Sequence, residues 1–140
     1  LYTIDYSVQG WDAILAADMA KLDDVIPGRI LGTLGETVAA YTPVYLKAAD
    51  GKFWKAQADG ANQPCRGLAL EAGDADDEVR IVWLGEVTNG AWAWTVNGPI
   101  YLSAAVLGGL TQTPPGGNIQ VIGYAITSTR ILLFPAITMS

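Results

Sequence analysis

Five acids crowd into "EAGDADDE", residues 71–78, of which Asp74, Asp76, Asp77 and Glu78 could offer oxygen ligands to a hard cation such as Ca²⁺. The spacing is not that of an EF-hand loop and no helix pair flanks it, so the stretch reads as a solvated turn that caps a sheet edge with charge. "GRILGTLGE", residues 28–36, is glycine-rich but lacks the Lys-Ser/Thr ending of a phosphate-binding loop. Its glycines mark turns or a bulge. Nucleophilic chemistry has little to build on. Cys65 is the single cysteine and the chain has no histidine. Ser7, Ser103, Ser128 and Ser140 lie outside any G-x-S-x-G elbow. Glu36, Glu71 and Glu86 are the carboxylates that a glycosidase would need in a pair, and each reads more simply as a strand-end solubilising residue. The chain is therefore expected not to be an enzyme and to use no cofactor or metal. Trp92 and Trp94, in "GAWAWTVNG", stand two apart and would share one face of a strand. They would line a sugar-binding platform if exposed, or pack in a core or subunit interface.

The elements that must position these residues are short. Half of the 140 residues are apolar (51%) and 16% are charged, against about 25% charged in an ordinary soluble domain. The 16 glycines and 7 prolines suit many strands joined by tight turns. Candidate strands are 29–34, 36–40, 43–48, 52–57, 66–71, 79–84, 92–96, 99–103, 119–126 and 130–135, separated by Asp50-Gly51, Asn89-Gly90, Asn97-Gly98 and Gly116-Gly117-Asn118. No strand-helix-strand alternation occurs. The fold expected is mainly β, a small β sandwich or β barrel, preceded by one short N-terminal helix and an extended N-terminal arm. The helix is placed in "WDAILAADMAKLDDVI", residues 11–26, where Trp11, Ile14, Leu15, Met19 and Leu22 recur at helical spacing before Pro27-Gly28. Residues 1–28 are thus read as arm and helix, and 29–140 as the β domain. A weak echo links "TPVYLKAADGKF" to "GPIYLSAAVLGGL": Pro43, Tyr45 and Leu46 answer Pro99, Tyr101 and Leu102, 56 residues on.

Charge narrows the partners. The net charge of −6 and eight scattered basic residues argue against nucleic-acid binding. From Val87 to Thr129 there is no Asp, Glu, Lys or Arg. Glycines and prolines break that span below the roughly 20 apolar residues of a membrane helix, and the acidic start is not a signal peptide. Part core and part subunit interface is the expectation for it.

The segments "TPVYLKAADGKFWKAQADG", "CRGLALEAGDADDEVRIVWLGEVTNG" and "GPIYLSAAVLGGLTQTPPGGNIQVIGYAITSTRILLFPA" together resemble the decoration, or cement, proteins of tailed-bacteriophage capsids, a β module related to those of head and tail fibres. The likeness covers about residues 40–136 and rests on the "VYL…DG" hairpin, the "GLAL…V.I…G" pair, the "YLS" hairpin and the "IQVIGYA…ILLF" ending. It implies a homotrimer on the outer surface of the virion, bound to the major capsid protein at subunit junctions, with no cofactor, no reaction and no membrane or nucleic-acid partner. Tyr2, Ile4, Tyr6, Trp11, Ile14, Leu15, Trp92 and Trp94 are the candidate capsid or subunit contacts. The alternative is a tail-fibre or carbohydrate-binding module using exposed tryptophans.

Overall fold

The computed structural model describes residues 28–137. The arm and helix expected before residue 28, with Tyr2, Ile4, Tyr6, Trp11, Ile14 and Leu15, lie outside the described residues. Within them the chain is mainly β and sandwich-like. β1 (Arg29–Thr33), β2 (Thr42–Lys47), β3 (Lys52–Lys55), β4 (Gly67–Ala69) and β5 (Glu78–Val82) form one antiparallel sheet in the order β1-β5-β4-β2-β3. β6 (Gly85–Thr88), β7 (Pro99–Leu102), β8 (Leu110–Thr111), β9 (Val121–Ala125) and β10 (Arg130–Leu133) form a second, in the order β6-β10-β9-β7-β8. No helix occurs among the described residues.

The two orders are one topology used twice: β1 to β5 correspond in turn to β6 to β10. The echo at Pro43 and Pro99 is the visible part of a repeat that spans the described chain. Pro43 pairs with Leu68 as Pro99 pairs with Tyr124, and Val44 with Gly67 as Ile100 with Gly123. Just before each of these strands one residue takes a left-handed conformation, Tyr41 at φ 64° and Asn97 at φ 65°. Its N–H donates to the facing carbonyl, Ala69 in the first repeat (2.6 Å) and Ala125 in the second (2.8 Å). Gly67 and Gly123 are fixed by space. A Cβ on Gly67 would lie 2.4 Å from the Val82 carbonyl oxygen, and one on Gly123 would lie 1.9 Å from that of Leu132.

Two expected strands are corrected. Residues 36–40 contribute only an isolated bridge between Val38 and Gly73. This stretch instead folds across the sheet to bury Leu34 and Val38, with Gly35 passing against the Trp54 ring. Residues 92–96 form no strand, because their backbone groups bond outside a ladder. Trp94 N–H donates to the Ser128 carbonyl (2.9 Å), and the Gln112 side-chain amide bonds both Thr95 N–H (2.8 Å) and Thr95 carbonyl (2.9 Å). β6 was not among the expected strands: it carries a single buried side chain, too little for alternation to show.

Burial divides into two clusters. The larger joins the sheets, with Leu68 and Val82 of the first meeting Val87, Ile100, Leu102, Ile131 and Leu133 of the second. The smaller, holding Leu34, Val38, Val44, Phe53, Ala69, Val79 and Ile81, fills the other face of the first sheet. Cross-strand pairing puts Ile30, Ile81 and Ala69 on that same face, with Leu46 opposite Phe53.

Candidate functional site

The polar residues singled out in the sequence are engaged in holding loops and strand ends. In the turn 71–78, Asp74, Asp76, Asp77 and Glu78 are all exposed. Asp77 Oδ2 accepts from Asp74 N–H (2.8 Å), Asp74 Oδ1 accepts from the Thr37 hydroxyl (3.2 Å), and Asp76 pairs with Lys52. Among the described residues no group of three or more acids and cysteines converges as a metal site would require. Glu36 Oε2 accepts from Lys55 N–H (2.9 Å). Glu71 Oε1 accepts from both Arg80 N–H (3.1 Å) and Arg80 Nε (3.0 Å), and these bonds hold its carboxyl below the ordinary value of 4.5. Glu86 pairs with Arg130.

Cys65 is buried and its thiol is pushed up to about 12, chiefly by burial, so it is not a thiolate at neutral pH. Ser103 is buried, and its Oγ accepts from Ala105 (3.2 Å) and Val106 (3.0 Å) N–H groups, which shapes the loop after β7. Ser7 and Ser140 lie outside the described residues. The glycines of "GRILGTLGE" serve packing. A Cβ on Gly32 would meet the Ile81 and Phe53 side chains at 2.6 Å.

Trp92 and Trp94 do come together, with ring centroids 5.8 Å apart, but the planes are tilted by 50°. Tyr41 meets Trp92 edge-on at 5.6 Å. Both tryptophans are half-buried against the inter-sheet core. Their rings do not form the coplanar platform that stacks on a sugar.

One buried polar residue escaped the sequence reading. Gln120 is fully buried, accepts from Cys65 N–H (2.7 Å), and donates to the carbonyls of Cys65 (2.9 Å) and Ala136 (2.7 Å). It clasps the loop before β4 and the C-terminal segment to the second sheet. An amide inside the apolar run "NIQVIGYA" was the available signal, because a buried amide must be satisfied.

Among the described residues, the feature left without a structural partner is apolar. On the outer side of the first sheet lies a groove of about 340 Å³, lined by Ile30, Leu46, Phe53 and Trp83 and flanked by Arg66, Pro135 and Ile137. The far side of the second sheet exposes Tyr124 and Phe134, whose rings meet edge-on at 5.9 Å. Val96, Val106 and Leu107, within the uncharged span, are exposed as well, while Ile100, Leu102, Ile122 and Ala125 of the same span are buried. That span is therefore both core and uncovered surface. Among the described residues no helix is long and apolar enough to cross a membrane. The sequence matches no protein-family model and no curated protein.

Proposed function

We propose that this protein is a structural component of a tailed-phage virion, bound to the outer surface of the capsid at junctions of the major capsid protein, where it stabilises the shell. The reading takes it as a homotrimer that needs no cofactor and carries out no reaction. The observation that supports it is the pair of apolar outer faces on a charge-poor sandwich, around Ile30, Leu46 and Trp83 on one side and Tyr124 and Phe134 on the other. Exposed apolar patches mark interaction surfaces, and a protein neighbour is the covering this reading assigns to them. The acidic net charge of −6 suits an outward-facing layer and disfavours contact with packaged DNA. Residues 1–28 are the segment assigned to gripping the capsid or a neighbouring subunit, through Tyr2, Ile4, Tyr6, Trp11, Ile14 and Leu15.

Co-sedimentation with undecorated capsids tests this. The full chain should pellet with capsids, and a chain lacking residues 1–10 should bind at least tenfold more weakly while keeping its melting temperature. Failure of the full chain to bind, together with glycan binding that is lost in Trp92→Ala, would replace the reading with the carbohydrate-binding one.

A further inference from the structure

The repeat makes a comparison possible that neither sheet offers alone. Equivalent positions have opposite exposure. On the groove face, Ile30 (42% exposed) corresponds to Val87 (4%), Leu46 (49%) to Leu102 (0%), and Trp83 (43%) to Leu133 (0%). The first-repeat members are open, while their second-repeat counterparts are covered by the first sheet. On the opposite face the pattern reverses. Leu68 (0%) is covered by the second sheet, and its counterpart Tyr124 (37%) is open. Pro43 is likewise buried, and its counterpart Pro99 is exposed.

The two sheets are thus stacked head to tail. The back of the first covers the front of the second, leaving open, among the described residues, the part of the first sheet's front around Ile30, Leu46 and Trp83 and the part of the second sheet's back around Tyr124 and Phe134. We propose that these two surfaces bind each other between copies: Tyr124 and Phe134 of one copy enter the groove formed by Ile30, Leu46, Phe53 and Trp83 of the next. The occupant of the groove is a second copy of this chain, because the chain itself displays the matching surface. The contact between copies then follows the pattern of the contact already made inside each copy. The positions named are apolar or aromatic, so their mutual burial removes apolar surface from both copies, with exposed Arg66 at the groove and the Glu86–Arg130 pair beside Tyr124 as the neighbouring charges. The contact is heterologous, so it propagates until a ring closes. With three copies, six sheets would follow one another around that ring. This deepens the self-association in the reading above and is independent of whether the assembly sits on a capsid.

The test uses the full chain without capsids. Its mass is measured by sedimentation and native mass spectrometry, alongside Leu46→Glu and Tyr124→Glu. The parent should be a closed oligomer, and each variant should be monomeric at the same concentration, with at least hundredfold weaker association. An equimolar mixture of the two variants should form a 1:1 dimer, because one intact pair of faces remains. A mixture that stays monomeric, or variants that keep the parent's mass, would overturn the proposal. So would a monomeric parent whose association appears only after residues 1–26 are removed, since the N-terminal segment would then be the occupant. Should a charged variant fail to fold, the double variant Leu46→Cys/Tyr124→Cys treated with a bis-maleimide provides the second reading. It should give products larger than a dimer, whereas each single variant stops at dimer. No product above dimer from the double variant would overturn the proposal.

Discussion

The two repeats share strand order and register but differ in how they close the turn before their last strand. In the first, residues 70–77 make an eight-residue acidic loop, and Glu71 Oε1 accepts from Arg80 N–H. In the second, Thr127-Ser128-Thr129 does the same task with a hydroxyl: Thr127 Oγ1 accepts from Arg130 N–H at 3.0 Å. Glu71 and Thr127 stand 56 residues apart, as do Gly67 and Gly123, and Arg80 and Arg130 only 50. One backbone requirement is therefore met by a charge in one repeat and by a neutral group in the other. The core positions of a strand are set by the sheet, whereas a turn only has to satisfy the groups that the sheet leaves unpaired.

The largest effect should come where the repeats are most alike. Gly67→Val and Gly123→Val should each cost on the order of 4 kcal/mol or more, because a side chain must displace backbone rather than another side chain. Urea denaturation followed by tryptophan fluorescence measures this. A tolerated valine at either site would break the equivalence of the two glycines.

Next come the positions where burial differs. Leu68→Ala should cost about 2–5 kcal/mol, as buried leucine truncations do. Tyr124→Ala, at the equivalent place, should cost less than about 1 kcal/mol in a monomeric, assembly-blocked background such as Leu46→Glu. Equal costs would mean that the two faces are not used differently.

The turn contrast predicts a difference in pH response. The hydrogen bonds from Arg80 hold Glu71 below its ordinary value of 4.5. A depressed carboxyl contributes stability that is present above the ordinary value and is lost as the pH falls through the folded-state value. The stability gap between parent and Glu71→Gln should therefore shrink as the pH falls from 5 towards 3. The gap between parent and Thr127→Val should stay level over the same range. Parallel curves for both variants would remove the distinction between charged and neutral turns.

The smallest effect is expected for the loop that only the first repeat has at this length. Replacing Asp74, Asp76 and Asp77 together by Asn should shift stability by no more than about 0.5 kcal/mol per site, since all three side chains are exposed. A calcium-dependent rise in the parent's melting temperature that the triple variant lacks would turn this loop into a functional difference between the repeats.

Alternation and turn chemistry made the mainly β class legible, together with most strands and the hairpin at Asp50-Gly51. That turn closes as a sequence reader would expect: Gly51 takes φ 69°, its N–H donates to the Lys47 carbonyl (2.8 Å), and Asp50 Oδ1 accepts from Lys52 N–H (2.9 Å). The pair Pro-x-Tyr-Leu was visible twice, but the rest of the repeat was not. Its conserved feature is a pattern of pairing and backbone conformation, and left-handed Tyr41 and Asn97 have no side-chain chemistry in common. The strand expected at 92–96 was misplaced for a related reason. Apolar residues at alternate positions report burial, and Trp92 and Trp94 obtain burial from a loop that packs on the core.

Local chemistry in the chain therefore determined the class of fold and the turns, because strand alternation and left-handed glycines act over a few residues. The apolar excess also announced that some surface would want covering. Which surface this is could be decided only by the tertiary structure. Leu46 and Leu102, or Leu68 and Tyr124, occupy matching places in matching sheets, and what separates them is which sheet lies on top. That depends on contacts between residues far apart in the chain, and no spacing or composition records it.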